Sequence, residues 1–224
     1  MDPGGRKPVK HGLRPSGRET PVPDTGGGAV PMDRMGPMTQ FRYFVAASAD
    51  GYIADDNDRL DWLMEFDGFE GQAESYAEFM GQIGAVAMGA DTYSWLLNQA
   101  LEEWPYAGLP VWVFTHRELA AFPGADLTFV RGDVTEWAGD VARSANGKDV
   151  WVLGGGSLAG QFVDEGLLDE LLLYAMPVLL GGGRPLFAMR GHTKLIPTLS
   201  REYPGGVRET RFDVVKAPGQ TRDY

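Results

Sequence analysis

The chain contains no cysteine and only three histidines among its 224 residues. Without cysteine there is no disulfide framework, no thiolate-bound zinc, no iron–sulfur cluster and no cysteine nucleophile. The three histidines, His11, His116 and His192, are too few for a histidine-rich metal site. We therefore expect no bound metal ion.

Positive charge is also scarce. The sequence has 20 Lys and Arg residues against 31 Asp and Glu residues, a formal net charge of −11 at pH 7. Residues 1–37 carry six basic and four acidic residues, so the acidic excess lies in the rest of the chain. Nucleic-acid binding depends on neutralising phosphates with Lys and Arg. The acidic body therefore argues against a nucleic-acid partner.

Long apolar runs are absent as well. A membrane-spanning helix needs roughly 20 consecutive apolar residues. The richest stretch, residues 167–180, is interrupted by Asp169, Glu170 and Pro177. The first residues lack the apolar core of a signal peptide. We therefore expect no membrane partner and a cytoplasmic location.

The composition is that of an ordinary globular protein, with 43% hydrophobic, 11% aromatic and 23% charged residues. The length predicts one domain. Residues 1–37 are rich in Pro and Gly and almost free of large apolar residues, which predicts a disordered leader. The folded domain is expected over residues 38–217, followed by a short tail over residues 218–224.

Short apolar runs alternate with helical patterns from residue 40 onward. Strands are predicted over residues 41–47, 85–88, 111–114, 127–130, 150–153 and 169–175, and helices over residues 72–82, 91–97, 134–145 and 157–165. Residues 194–203 and 206–216 predict a final antiparallel pair. This order indicates an α/β fold with a mostly parallel central sheet, helices on both faces and a C-terminal antiparallel hairpin. Asp133 and Ser157 are the predicted N-caps of their helices.

Three consecutive glycines, residues 154–156, lie between a predicted buried strand and a predicted helix. In such sheets ligands bind beyond the carboxyl ends of the strands. One interpretation of the three glycines is phosphate binding, because bare backbone N–H groups at a helix start favour an anion. The alternative interpretation is a tight turn that needs positive φ. A Rossmann fingerprint is disfavoured, because no acidic residue follows roughly 20 positions later.

The same segment is one residue away from the G-x-S-x-G nucleophile elbow of hydrolases. Ser157, then Asp164 or Asp169, then His192 follow the chain order of a hydrolase triad. A Ser157 hydrolase is therefore an alternative function from a different reaction chemistry.

Several motifs together resemble a known family. They are residues 48–54 (SADGYIA), 87–93 (AMGADTY), 152–158 (VLGGGSL), 162–169 (FVDEGLLD) and 177–187 (PVLLGGGRPLF). They are similar to the C-terminal reductase domain (RibD C-terminal) of the bifunctional riboflavin-biosynthesis deaminase/reductase, which belongs to the dihydrofolate reductase-like superfamily. The resemblance covers about residues 41–215 and implies a dihydrofolate reductase-like fold. The zinc-dependent deaminase half of that enzyme is absent, since its ligands need cysteines.

The resemblance implies an NADPH cofactor, with NADH as the alternative. The residues that it assigns to the cofactor are Ala47, Ile53, Ala54, Gly89, Thr92, Thr115, Arg117, Gly154, Gly155, Gly156, Ser157 and Leu158. Ala90 and Asp91 stand where the family has an Arg-rich pair after the glycine, which removes an expected cation, adds an anion beside it and leaves Arg117 as the local cation for the 2′-phosphate.

On the substrate side, the resemblance assigns Asp50 as a catalytic or substrate-anchoring acid, although Asp50-Gly51 is also an ordinary turn dipeptide. Trp62 is a substrate-side candidate or a core aromatic residue. Glu165 is a candidate acid or a solvated charge.

The implied activity is an NADPH-dependent oxidoreductase that transfers hydride to a small heterocyclic substrate. Such a substrate is a ribosylaminopyrimidine, as for a 5-amino-6-(5-phosphoribosylamino)uracil reductase, or a pterin. The resemblance also implies a homodimer. Beside the Ser157 hydrolase, a non-catalytic nucleotide-binding module of the same fold remains an alternative.

Overall fold

The structure, a computed structural model, describes residues 38–217. The predictions of a disordered leader over residues 1–37 and of a tail over residues 218–224 lie outside the described residues. No helix among residues 38–217 combines the length and the apolar character that crossing a membrane requires.

Ten strands and five α-helices are found in this part of the chain. The strands are β1 Phe41–Ser48, β2 Tyr52–Ala54, β3 Ile83–Gly89, β4 Val111–Phe114, β5 Leu127–Val130, β6 Asp149–Gly154, β7 Glu170–Met176, β8 Arg184–Pro185, β9 Leu195–Glu202 and β10 Arg208–Val214. The helices are α1 Asp61–Met64, α2 Gln72–Gln82, α3 Ala90–Leu97, α4 Val134–Ser144 and α5 Gly156–Asp164.

Eight strands form one sheet in the order β5-β4-β3-β6-β1-β7-β10-β9. All pairs from β5 to β7 are parallel, and β10 runs antiparallel to both β7 and β9. β2 and β8 form a separate antiparallel pair. The predicted mostly parallel sheet with a C-terminal antiparallel hairpin is therefore confirmed.

The sheet is covered on both faces, as predicted. One hydrophobic cluster joins α4 and α5 to the sheet and contains Phe41, Val152 and Phe162. The other joins α2 and α3 to the sheet and contains Phe79 and Trp151. Val152 and Trp151 are neighbours in β6. Because successive side chains of a strand point to opposite faces of the sheet, this strand contributes to both hydrophobic clusters.

The start of α4 confirms one predicted cap and the start of α5 corrects the other. Asp133 accepts a hydrogen bond from the backbone N–H of Thr135 at 3.1 Å, and Glu136 accepts one from the N–H of Asp133 at 2.9 Å, which together form a capping box. The prediction that Ser157 caps α5 is wrong. Gly155 is the N-cap and Ser157 lies in the first turn, because the glycine backbone already enters the helix at Gly156.

Candidate active site at the carboxyl edge of the sheet

A cleft of about 1170 Å³ opens at the carboxyl edge of the parallel strands. Gly89 at the end of β3, Thr115 after β4 and Gly155 after β6 line it. This is the edge at which α/β sheets bind ligands, because the loops and helix starts that follow the strands converge there. The cleft is therefore the candidate active site.

The turn from β6 into α5 consists of three glycines and therefore has no side chains. Gly154 has a φ of +113°, a conformation that L side chains rarely adopt, and the peptide bond between Gly154 and Gly155 is cis. A Cβ on Gly156 would lie 2.1 Å from the carbonyl oxygen of Pro185, so β8 passes directly against the start of the helix. Glycine is required at both positions, at Gly154 for its conformation and at Gly156 for the close approach.

Two helix N-termini meet in the cleft. α3 begins after Gly89 and α5 begins after Gly155, and neither N-cap residue supplies a side-chain hydrogen bond to the first turn. A Cβ on Gly155 would lie 3.8 Å from Oγ1 of Thr92, so the two helix starts are adjacent. First-turn N–H groups and the positive ends of the helix dipoles both favour anions. The edge of the cleft between α3 and α5 is therefore suited to phosphate groups.

The cleft brings together most of the residues that the sequence assigned to a cofactor. Those that line it are Ile53, Ala54, Gly89, Thr92, Thr115, Gly155, Gly156, Ser157 and Leu158. Ala47 and Gly154 are buried and do not line it.

Arg117 lies outside the cleft. It donates a hydrogen bond from its guanidinium to the carboxylate of Asp91, and both side chains are exposed. It lines a smaller neighbouring depression together with Arg131. Arg117 is therefore already partnered by Asp91.

Arg131 is a cleft residue that the sequence analysis missed. It follows the last residue of β5, Val130, and lines both the main cleft and the smaller depression. Among the Lys and Arg residues that line the cleft within residues 38–217, Arg184 is paired with Asp58, whereas Arg131 has no ion pair. Its position directly after a strand was the signal that could have identified it.

Asp50 binds a neighbouring loop. Its carboxylate accepts hydrogen bonds from Oγ of Ser48 at 2.6 Å, from N–H of Gly181 at 2.7 Å and from N–H of Leu180 at 3.1 Å. These hydrogen bonds lower the pKa of Asp50 to about 2, and the bond from Ser48 has the largest effect. Asp50 is thus an ionised group that holds the turn after β7, and it does not line the cleft.

The two other substrate-side candidates also lie away from the cleft lining. Trp62 packs in a small cluster with Tyr174 and Met176. Glu165 follows α5 and binds the guanidinium of Arg190. Trp62 is therefore a packing residue of this cluster, and Glu165 forms a surface ion pair.

The residues of the hydrolase alternative are not assembled at the cleft. Ser157 lines the cleft, whereas His192 does not. Asp164 accepts hydrogen bonds from Arg190, and Asp169 accepts hydrogen bonds from Lys216 and from the N–H of Phe41. Both carboxylates are therefore hydrogen-bonded to residues outside the predicted Ser–Asp–His triad.

Part of the cleft lining is aromatic. We call it the aromatic wall, and it consists of Phe44, Phe69, Tyr76, Tyr106, Trp151 and Tyr174. Burial raises the pKa of the Tyr106 and Tyr174 phenols, so both stay neutral at neutral pH. The hydroxyl of Tyr174 is hydrogen-bonded to Oγ of Ser75 at 2.5 Å.

The strand order, the two covered faces and the cleft at the carboxyl edge define a dihydrofolate reductase-like α/β protein. Residues 109–207 match the family model described as the RibD C-terminal domain. The chain is 31% identical over 153 residues to the uncharacterized protein YwjB of Bacillus subtilis (strain 168), a match that covers 68% of this chain and 85% of that protein. The chain belongs to the RibD C-terminal domain family.

Solved structures show the same fold. A putative riboflavin biosynthesis protein from Shewanella sp. PV-4 is 25% identical with a TM-score of 0.68, over 80% of this chain and 100% of that one. A diaminohydroxyphosphoribosylaminopyrimidine deaminase/5-amino-6-(5-phosphoribosylamino)uracil reductase from Thermotoga maritima is 17% identical with a TM-score of 0.56, over 80% of this chain and 57% of that one. The second likeness concerns the fold alone.

Proposed function

We propose that this protein is an NAD(P)H-dependent reductase acting on a small heterocyclic substrate. The observation that carries the proposal is the pair of uncapped helix starts, α3 and α5, in a cleft that six aromatic side chains also line. Membership of the RibD C-terminal domain family, which includes riboflavin-pathway reductases, supports it.

The residues of the cleft fit a dinucleotide. The backbone at Gly155–Leu158 and at Gly89–Thr92 presents two adjacent anion-binding helix starts, as a pyrophosphate requires. Ile53 and Ala54 of β2 line the same cleft, and Cδ1 of Ile53 would lie 3.8 Å from a Cβ on Gly155, so these residues would flank the nicotinamide. The bare backbone at Gly155 leaves space that a side chain would otherwise occupy.

When bound, NAD(P)H supplies the chemistry: the carbon of a C=N or C=O bond accepts the hydride, the heteroatom takes a proton from water, and NAD(P)+ results. The chain's own residues bind and orient the two reactants. Asp50 has a structural role, because its ionised carboxylate holds the Leu180–Gly181 backbone.

Arg131 is the cation that we propose for the 2′-phosphate of NADPH. It lines the cleft next to Thr115 and His116 and has no ion pair among the described residues. Arg117, which the family pattern suggested for this role, is neutralised by Asp91. NADPH is therefore the preferred cofactor, with NADH as the weaker one.

We also propose that the protein acts in the cytoplasm as a homodimer. The edge strand β9 exposes the apolar side chains Leu195 and Ile196, and exposed apolar groups on a sheet edge favour association. Sedimentation equilibrium tests the dimer: twice the chain mass supports it, and the single chain mass at every concentration contradicts it.

The cofactor site is tested by three glycine variants. Gly89 has extended backbone, and its Cβ would meet nothing closer than 3.6 Å, so Gly89→Ala and Gly89→Asp both fit. Aspartate at this N-cap would cap α3 and place a negative charge where the phosphates bind. We expect Gly89→Asp to lower NADPH affinity about ten- to a hundredfold and Gly89→Ala to change it little.

Gly191→Asp is the matched control, since the Cβ of residue 191 would meet nothing within 4 Å and the residue does not line the cleft. Affinity is measured by quenching of tryptophan fluorescence. Equal affinities in Gly89→Asp and Gly191→Asp would show that the helix starts do not bind the phosphates.

A further inference from the structure

The aromatic wall is one continuous surface. The ring centroids of Phe44 and Tyr174 are 5.2 Å apart, and those of Phe44 and Trp151 are 6.0 Å apart. Trp151 in turn contacts Tyr76 at 6.1 Å and Tyr106 at 5.7 Å. Tyr106, Trp151 and Tyr174 are buried and support the partly exposed rings of Phe44, Phe69 and Tyr76, which are the ones that another flat ring system can contact.

The charged and polar groups that lie beside the wall have partners within the protein. Asp67 accepts a hydrogen bond from Nε2 of Gln72 at 3.1 Å, and Oε1 of Gln72 accepts one from the N–H of Gly68 at 2.6 Å. Asp58, which also lines the cleft, is paired with Arg184. The net formal charge of these groups is negative, so this side of the cleft repels an anion.

The cation without an ion pair lies elsewhere in the cleft. Within residues 38–217, the Lys and Arg residues that line it are Arg131 and Arg184, and Arg131 follows β5, at the far edge of the sheet from β7. Among the described residues, a phosphate monoester beside the aromatic wall would therefore lose hydration and find only Arg184, which is already paired with Asp58, as a cation, and this is unfavourable.

We propose that the substrate is a flat, uncharged aromatic or heteroaromatic molecule that carries no phosphate. This inference rests on the proposed reductase function and narrows its substrate class. It separates this protein from a reductase of 5-amino-6-(5-phosphoribosylamino)uracil, the activity in the description of the Thermotoga maritima structure. The reduced bond lies in, or is conjugated with, the ring that stacks on the wall.

Riboflavin and riboflavin 5′-phosphate are suitable probes, because they share one reducible planar ring system and differ only in the phosphate. Their dissociation constants are measured by fluorescence with the full chain saturated with NADP+. We expect riboflavin to bind at least tenfold more tightly than its phosphate. Equal or tighter binding of the phosphate, or no binding of riboflavin to protein that binds NADP+, overturns the inference.

Two variants of α2 introduce a cation at different places, one at the lining of the cleft and one outside it. Ala73 and Ala77 are both exposed residues of α2, but only Ala73 lines the cleft. Ala73→Arg should tighten the binding of riboflavin 5′-phosphate about tenfold relative to riboflavin, and Ala77→Arg should leave the ratio unchanged. The same shift in both variants, or in neither, contradicts the assignment of the wall as the substrate side.

The two proposals fail in different ways. If the unmodified chain binds none of NADP+, NADPH, NAD+ and NADH, the proposed function is overturned, whatever the probes do. Normal cofactor binding together with a preference for the phosphorylated probe leaves the reductase function standing and overturns only the substrate class.

Discussion

Arg117 and Asp91 form an exposed ion pair between the loop after β4 and the first turn of α3. The two residues are 26 positions apart in the sequence and belong to the two segments in which a 2′-phosphate site was expected. Each charge neutralises the other, so neither Arg117 attracts a phosphate strongly nor Asp91 repels one strongly. We therefore expect Arg131 to be the residue that binds the 2′-phosphate.

The first prediction concerns Arg131. Arg131→Ala should weaken NADPH binding about ten- to a hundredfold, because a charge-assisted contact to phosphate is lost, and should leave the affinity for NADH nearly unchanged. Arg117→Ala is the matched control and should change the ratio of the two affinities less. A larger effect from Arg117→Ala than from Arg131→Ala would reassign the 2′-phosphate to Arg117.

The second prediction concerns the acid of the ion pair. Asp91→Asn should free Arg117 and raise the preference for NADPH over NADH by several-fold. The pair is exposed on both sides, so its removal should change the free energy of unfolding by less than about 1 kcal/mol. Isothermal titration with both cofactors measures the preference, and an unchanged ratio would show that the pair lies too far from the bound phosphate to matter.

The third prediction is a pH dependence that Asp50 causes. Its pKa is lowered from 3.8 to about 2 by the hydrogen bonds from Ser48 and Gly181. Because the folded-state value is the lower one, Asp50 contributes stability that is complete above about pH 4 and is lost as the pH falls toward 2.

The Asp50→Asn variant should therefore unfold at lower urea concentration than the unmodified chain at pH 7, and the difference should shrink between pH 4 and pH 2. The exposed Asp213→Asn is the control and should show no such trend. A difference for Asp50→Asn that is independent of pH would show that the ionised carboxylate does not hold the Leu180–Gly181 turn.

The fourth prediction concerns the contact between α5 and β8. A Cβ on Gly156 would lie 2.1 Å from the carbonyl oxygen of Pro185 and 2.9 Å from that of Leu186. Gly156→Ala must displace this backbone, and we expect a loss of roughly 1–3 kcal/mol in the free energy of unfolding. Gly191→Ala, with open space around it, should change it by less than about 0.5 kcal/mol. Equal losses in the two variants would contradict the close approach.

Much of the fold was predictable because local patterns carry it. Residues 72–82, 111–114 and 127–130 were predicted with the bounds that α2, β4 and β5 have, since apolar periodicity and flanking turn residues agree there. β2 and β8 were missed because strands of three and two residues leave no periodic signal.

The site was predictable where it consists of backbone and not where it depends on distant partners. The glycine run and the helix starts were found, since their chemistry follows from consecutive residues. The role of Asp50 was not, because its partners Leu180 and Gly181 are 130 and 131 residues away. The aromatic wall was missed for the same reason: β1, α2, β6 and β7 each contribute to it.

The most direct test of the central claim is a crystal structure of the full chain soaked with NADPH. We expect a dinucleotide in the cleft of about 1170 Å³, with its pyrophosphate accepting hydrogen bonds from backbone N–H groups at the start of α5 and its nicotinamide toward the aromatic wall. A cofactor bound at another surface, or a cleft that stays empty at NADPH concentrations well above about 1 mM, would contradict it.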